Sequence, residues 1–363
     1  MKALNNVGAP VIEKIIGGRP YLSFKDFLKR CPLNKTVMIS LIKAGAFDNL
    51  EKDWAKELDI EPRLLIMIYY LSLASEPKNK LTLQNFNGLI EKGLIPDELG
   101  FEKKVFLFNK TLKKNKWKDY YVLSEPEIQN FYNKYFEMDD LEVVNEVCIK
   151  QKVWDKTYKL VMDSARDWLK ENQAEALKKY NTILFKEAWD KYAKGNISSW
   201  EMESLCFYYH DHELIKVNND KYGIVNFNDL SPSPIVDKTF KRNGKQIPIY
   251  KLYKIAGTVI SKNDNRHSIS LLTTNGVVNV KFTKEYYALF GRQLSEVQED
   301  GTKKVMEKGW FVRGTKLLIT GFRRDDTFVS KNYKSNGGHQ LYKILNVNGS
   351  NLEITHERYG QNE

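Results

Sequence analysis

The chain has 363 residues, 42% of them hydrophobic and 28% charged, with 21 glycines and 10 prolines; this is the composition of a folded protein of two or three domains and excludes wholesale disorder. Its longest apolar run, Leu64 to Ala74, holds 11 residues against the ~20 of a membrane span, and the N-terminus has no apolar signal core. Lys and Arg outnumber Asp and Glu by 57 to 46, a net charge of +11, and the three scattered cysteines, Cys31, Cys148 and Cys206, fit neither a disulfide framework nor a Cys-based zinc site, so a reducing, cytoplasmic setting is expected.

Residues 1–52 read as short helices joined by two glycine-bearing turns, Asn6-Val7-Gly8 and Lys43-Ala44-Gly45. From about 55 to 215, apolar residues recur at helical spacing, as at Val153, Trp154, Tyr158, Val161, Met162, Ala165 and Trp168, and again at Leu177, Tyr180, Leu184, Ala188 and Tyr192. Residues 53–230 are therefore expected as a mainly helical connector. Lys194-Gly195-Asn196 breaks that pattern, and Leu230-Ser231-Pro232-Ser233-Pro234 marks a linker. Beyond it the period changes to two. A strand over 250–261, a hairpin over 268–282 turning at Asn275-Gly276, a short helix over 284–294 and a second hairpin turning at Arg323-Arg324-Asp325-Asp326 give the count of a five-stranded OB-type β-barrel over 231–347, followed by a tail over 348–363. The expected class is α+β multidomain: N-terminal hairpins, a mostly helical middle and a C-terminal barrel.

Charge is unevenly spread along these segments. Residues 1–50 hold 8 Lys and Arg against 3 Asp and Glu, and residues 245–343 hold 18 against 8. Two basic ends on a slightly acidic middle suit two contacts with a polyphosphate, although a lysine-rich solvated surface has the same composition. A tight turn that exposes backbone N–H groups at a helix N-terminus is a ready phosphate site that reads no bases. This makes Val7 and Gly8 one candidate and Lys43 with Gly45 another; the alternative for each glycine is a helix C-cap. In the barrel segment, Trp310, Arg313, Arg323, Arg324, Phe328 and Tyr333, with Lys281 and Lys284, mix flat rings and cations as a single-strand groove requires, each stacked base contributing ~1–3 kcal/mol. Half of such rings would serve as barrel core instead.

Other chemistry has thin support. His210-Asp211-His212 offers two imidazoles, but only His267, His339 and His356 remain elsewhere. The acidic pairs Asp139-Asp140, Glu299-Asp300 and Asp325-Asp326 read as solvated loops, and no cysteine sits in a nucleophile motif. No cofactor or metal site is expected.

Val7-Gly8, Ile12, Ile15-Ile16, Arg19, the run Ser23-Phe24-Lys25-Asp26-Phe27, Arg30, Asn34-Lys35 and the run from Leu41 to Asp48 together resemble the tandem helix-hairpin-helix segment of the bacterial replicative DNA polymerase III alpha subunit, a C-family polymerase. About 150 residues later, Glu203, Leu205, Phe207, Tyr208, His212 and Leu214 are similar to that family's E-x-L-G-F-Y-x-x-x-H-P-L segment, with Cys206 in place of the glycine and Glu213 in place of the proline. The stretch Ile255 to Ile260 and the hairpin ending Val280-Lys281-Phe282 resemble the opening of the family's OB domain, and the three segments come in the family's order. The stretch 51–195 carries no such motif. The resemblance implies that the hairpins hold duplex, that the OB domain takes single-stranded template, and that metal-binding palm carboxylates lie upstream. Met1 falls where the first helix of the first hairpin should be under way, so the chain is expected to be the C-terminal third of an alpha subunit with a truncated first hairpin. The resemblance also implies a sliding-clamp peptide, for which Gln129-Asn130-Phe131-Tyr132 and Gln84-Asn85-Phe86 are faint matches.

Two functions follow from different classes. One is a non-catalytic DNA-holding part of a replicative polymerase, whose partner is the remainder of the alpha subunit or another replisome component. The other is an interaction protein that docks on a polymerase, clamp or clamp loader. Rings exposed on one barrel face favour the first; buried rings favour the second. A free-standing nuclease using His210 and His212 is a third, weaker option.

Overall fold

The computed structural model describes residues 4, 6–114, 120–123, 141–143, 147–298, 301–333 and 337–359. The chain divides into two compact units, residues 1–67 with 195–363, and residues 68–194. Among the described residues no helix is long and apolar enough to cross a membrane.

The first unit opens with α1 (Ala9–Gly17), α2 (Phe24–Arg30), α3 (Lys35–Lys43) and α4 (Lys52–Glu57). The runs Ser-Phe-Lys-Asp-Phe and Asn-Lys carry their own start signals: the Ser23 hydroxyl accepts from the Asp26 amide at 3.0 Å, and the Asn34 side chain accepts from the Val37 amide at 2.9 Å. Phe24 and Phe27 are buried and meet Phe47 edge to face at 4.9 and 4.7 Å. This aromatic contact packs α2 under the turn that follows α3.

α5 (Pro62–Ala74) contains the division between the units. The second unit continues through α6 (Phe86–Glu91), α7 (Gly100–Thr111), α8 (Gln151–Val161), α9 (Asp163–Glu171) and α10 (Gln173–Tyr192). Its larger core gathers Leu81, Phe86, Leu89, Met162, Leu169 and Tyr180. Trp154 is fully buried in a smaller one and donates its indole N–H to Asn109 at 2.8 Å. The helical period read from 153 to 168 is interrupted at Met162, where α8 ends and α9 begins. This unit also holds a sheet the helical reading did not anticipate: β1 (Lys113–Lys114), β2 (Tyr120–Leu123), β3 (Leu141–Val143) and β4 (Val147–Lys150), in the order β1-β2-β4-β3. Its strands have two to four residues, too few for an alternation to show.

Back in the first unit, α11 (Ile197–Leu205) and α12 (Asn219–Tyr222) lead to the ribbon β5 (Val236–Arg242) and β6 (Lys245–Tyr250). The barrel strands are β7 (Tyr253–Asn263), β8 (Ser268–Thr273) and β9 (Gly276–Lys281), then, after α13 (Lys284–Gly291) and the pair β10 (Leu294–Val297) and β11 (Lys303–Glu307), β12 (Lys316–Arg324) and β13 (Thr327–Ser330). The sheet order is β13-β9-β8-β7-β12, and β13 also pairs with β12, which closes it. Only the β9–β13 pairing is parallel. Five strands in the order 1-2-3-5-4 with 3 and 5 parallel, and a helix between 3 and 4, form an OB-type barrel. The stretch 348–363, expected as a tail, carries a further strand: β14 (Leu341–Asn348) pairs with β12, and β15 (Asn351–Thr355) pairs with β14.

Inward residues Ile255, Val259, Ile269, Leu271, Val280, Leu317, Ile319 and Phe328 fill the barrel, and Tyr287, Phe290, Trp310 and Phe311 close one end of it. Leu214, Val217, Leu318 and Ile344 form a separate cluster with Ala256. Because strand side chains alternate faces, that cluster covers the outside of β7 and β12. Closure depends on Gly321, where an added Cβ would stand 2.2 Å from the Val329 carbonyl oxygen of the neighbouring strand. Gly321→Ala is expected to destabilise the protein by about 1–3 kcal/mol through overpacking, read as a lower urea midpoint with the same slope.

Candidate nucleic-acid interface

The second hairpin turn is built around a buried arginine. Arg63, 3% exposed, reaches from α5 under the turn after α3. Its Nε and Nη2 donate to the Asp48 carboxylate at 3.1 and 2.6 Å, and its Nη1 donates to Glu201 Oε1 at 2.8 Å. Glu201, on α11, is 0% exposed. Its Oε1 also meets His210 Nδ1 at 2.7 Å, while Oε2 accepts the Tyr209 and His210 amides at 2.9 Å each. Burial alone would raise the Glu201 carboxyl, but the His210 amide, the Arg63 guanidinium and the His210 ring hold it below the usual glutamate range. Burial likewise opposes the charge on Arg63, and Asp48 with Glu201 outweighs it.

This network decides the chemistry of the turn. Gly45 lies at φ +77°, and a Cβ there would fall 2.2 Å from Arg63 Nη2. The Gly45 amide donates to the Ile42 carbonyl at 2.9 Å and the Ala46 amide to the Leu41 carbonyl at 3.0 Å, which is the Schellman pattern of a helix C-cap. Those two donors are engaged within the helix end, so the phosphate cradle expected there is corrected to the C-cap alternative. Lys43 is corrected too: it is 4% exposed and ion-paired with Glu203 on α11. The first turn differs. Val7 is buried, and the Asn6 side chain donates to the Ser40 hydroxyl at 3.1 Å. The next residue, Gly8, is the exposed N-cap of α1, with no side chain capping the helix. In that first turn Pro10 carries no N–H, and the Val11 and Ile12 amides donate to the Gly8 carbonyl at 3.1 and 3.2 Å, so the turn offers an anion fewer donors than a full helix N-terminus.

The segment after α11 joins this network to the barrel. Cys206 caps α11 at φ +69°, the left-handed conformation in which the resembled family has glycine. Glu213, in place of that family's proline, pairs with Lys316 at 2.9 Å and accepts from the Tyr208 hydroxyl at 3.1 Å. The Tyr208 and Thr258 hydroxyls share a hydrogen bond of 2.8 Å. His212 Nε2 donates to the Leu272 carbonyl at 2.9 Å and Nδ1 accepts the Leu214 amide at 3.0 Å. Burial lowers the His212 pKa, and with both ring nitrogens engaged by the backbone the ring serves packing. His210 is engaged with Glu201, and no group of three or more His, Cys, Asp or Glu able to hold a metal occurs among the described residues.

On the barrel, the predicted residues separate. Trp310 is 0% exposed, donates to Glu307 at 2.6 Å and packs against Phe290, so its expectation as a surface contact is corrected to core. Phe328 is likewise corrected, since its register position on β13 faces inward. Arg323 lies 4.5 Å over the Phe227 ring and donates to the carbonyls of Phe227, Asn228 and Leu230, fastening the linker to the barrel. Arg313 is exposed, but its donors reach the Ile260 carbonyl at 3.0 Å and Cys206 Sγ at 2.8 Å.

Lys281, Arg324 and Tyr333 gather on one outer face. Register places Lys281, Val329 and Phe322 in one row across β9, β13 and β12, and Asn279, Thr327 and Arg324 in the next. The Tyr250 ring meets Phe322 at 4.7 Å, the Tyr250 amide donates to the Tyr333 hydroxyl at 3.0 Å, and Arg324 and Lys331 lie 5.5 and 5.9 Å over Phe322 and Tyr333. Lys284 is exposed at the start of α13, just after β9. Sequence reasoning missed Tyr250 and the whole Arg63–Glu201 network. Of the clamp matches, Gln129 to Tyr132 lies outside the described residues and Phe86 is buried in the second unit's core. Asp139-Asp140 and Glu299-Asp300 also lie outside the described residues, and Asp325-Asp326 is an exposed turn.

Glu201→Gln leaves Arg63 with half its countercharge, and is expected to cost about 3 kcal/mol in urea unfolding. The unaltered chain should show the matching pH dependence. With the folded pKa below the unfolded one, the Glu201 contribution is complete above about pH 4.5 and disappears as pH falls through the lowered value. A Tm-versus-pH series of the two chains should therefore converge in acid.

Residues 1–56 match the helix-hairpin-helix motif family. Over 372 aligned residues, covering 99% of the chain, the sequence is 37% identical to a probable DNA polymerase, YorL, of Bacillus subtilis (strain 168), and equally to a DNA-directed DNA polymerase of Bacillus phage SPbeta. The chain spans 28% of the length of each of these relatives. No solved structure matches it. By sequence, the chain is therefore similar, along nearly its whole length, to one part of each of these two DNA polymerases.

Proposed function

We propose that the chain is the DNA-holding, C-terminal part of a C-family replicative polymerase, acting by position rather than by chemistry. The observation that carries this is the 37% identity over 99% of the chain to DNA polymerases, together with the helix-hairpin-helix match at its start. In this reading residues 1–52 hold the duplex backbone through the α1 N-terminus at Gly8. Residues 231–347 hold single-stranded template on the β9–β13–β12 face, through Lys281, Lys284, Arg324, Tyr333 and the ring of Tyr250, with Phe322 buried beneath it. Phosphoryl transfer belongs to the portion of the polymerase that the chain does not match, and a bacterial or phage-infected cytoplasm is the setting. A sliding clamp or other replisome component is a further partner under the same reading.

The burial of Trp310 and Phe328 favours the second reading, a barrel that serves a protein partner. Titration of fluorescent single-stranded, duplex and primer–template DNA at several salt concentrations separates the two. Expected are a steep salt dependence and tightest binding at the primer–template junction. In a Lys281→Glu/Arg324→Glu variant, the single-strand salt slope should become shallower by about 2. Weak, salt-insensitive binding to all three DNAs would instead support docking on a protein.

A further inference from the structure

Apart from Tyr250 at its base, the ribbon β5–β6 has no role in the site described above. Among the described residues its strands pair only with each other, through a turn in which Asn243 and Gly244 take φ +50° and +74°, the geometry of a tight hairpin. An isolated two-stranded ribbon is marginal in water, and residues 235–241 and 243–246 are all exposed. It is anchored at its base: the Lys251 amide donates to the Ile235 carbonyl at 2.8 Å, and Tyr250 holds the contacts with Phe322 and Tyr333.

We propose that this ribbon is a second DNA contact, one that enters a groove of the duplex. The proposal rests on the reading that the chain binds DNA. Residues 236–251 contain five Lys and Arg and a single carboxylate, Asp237. Register sets Phe240 opposite Ile247, flanked on the same face by Lys245 on one side and by Lys238 opposite Ile249 on the other. One face thus places an exposed aromatic and an isoleucine between cations. Lysines and Pro248 would also guard free strand edges against pairing, but edge protection does not call for an apolar pair at the centre of the charged face. Strands of seven and six residues extend ~20 Å at ~3.3 Å per residue, and a major groove ~12 Å wide admits a two-stranded ribbon. A projecting ribbon is complementary to a groove, whereas single strands lie in concave channels over stacking rings.

The test compares the full chain with Lys238→Glu/Lys245→Glu and, as a milder pair, Lys238→Gln/Lys245→Gln, against a fluorescent duplex and a single strand over a salt series. Expected is duplex binding about tenfold weaker in the Glu pair, a duplex salt slope shallower by about 2 in both pairs, and unchanged single-strand binding and Tm. If the Glu pair does not fold, the Gln pair decides by its slope. Unchanged duplex slopes in folded variants of a chain that itself binds duplex would overturn the proposal and leave the DNA-holding reading intact. Selective loss of single-strand binding would also overturn it, in favour of a strand-holding ribbon. Absence of salt-sensitive binding by the unaltered chain would overturn both.

Discussion

The architecture of the first unit depends on one buried ion pair, Arg63 with Glu201. Taking a guanidinium and a carboxylate out of water costs several kcal/mol per ion, and the cost is offset only where every remaining donor and acceptor finds a partner. Here Glu201 accepts four hydrogen bonds and Arg63 reaches a second carboxylate, Asp48. The pair joins residues 138 positions apart in sequence and dictates its surroundings. Gly45 has no side chain because the guanidinium occupies the space one would need, and the helix end above it closes on its own amides. The α11 segment then continues to the barrel through Tyr208, His212 and Glu213. The hairpin module and the barrel are therefore linked by a continuous series of satisfied polar contacts.

The barrel sorts its rings by strand alternation. Trp310 and Phe328 go inward because the closed end and the parallel β9–β13 seam need bulk there, which removes them from any ligand. The outside of β7 and β12 is covered by Leu214, Val217 and the β14–β15 extension. What stays open is the face across β9, β13 and β12, where Lys281, Arg324 and Tyr333, predicted from sequence, meet the ring of Tyr250 over a buried Phe322.

The fold was largely legible in the sequence where local signals are strong. The Asn275-Gly276 turn, the period-two runs of β8 and β9 and the break at Gly195 are each determined by neighbouring residues. The sheet of the second unit was not, because its strands are too short to show a period. The site was legible in part. Lys281, Arg324 and Tyr333 share one face, but Lys43 was read as a contact because its Glu203 partner lies 160 residues away, and no local pattern announces such a pairing. The Gly45 turn illustrates the same limit. A glycine after a helix ending in lysine suits both a phosphate cradle and a C-cap, and only the positions of Arg63 and of the two amides decide between them.

The distance in sequence between Arg63 and Glu201 also has a meaning in time. The first unit is interrupted by the second, residues 68–194, so the ribosome makes the hairpin module long before it makes the carboxylate that neutralises its arginine. At ~5–20 residues per second, the intervening 138 residues take on the order of ten seconds. During that interval Asp48 alone faces Arg63, and α3 has no α11 to pack against. The arrival of Glu201 is therefore the event that completes the first unit's hairpin end.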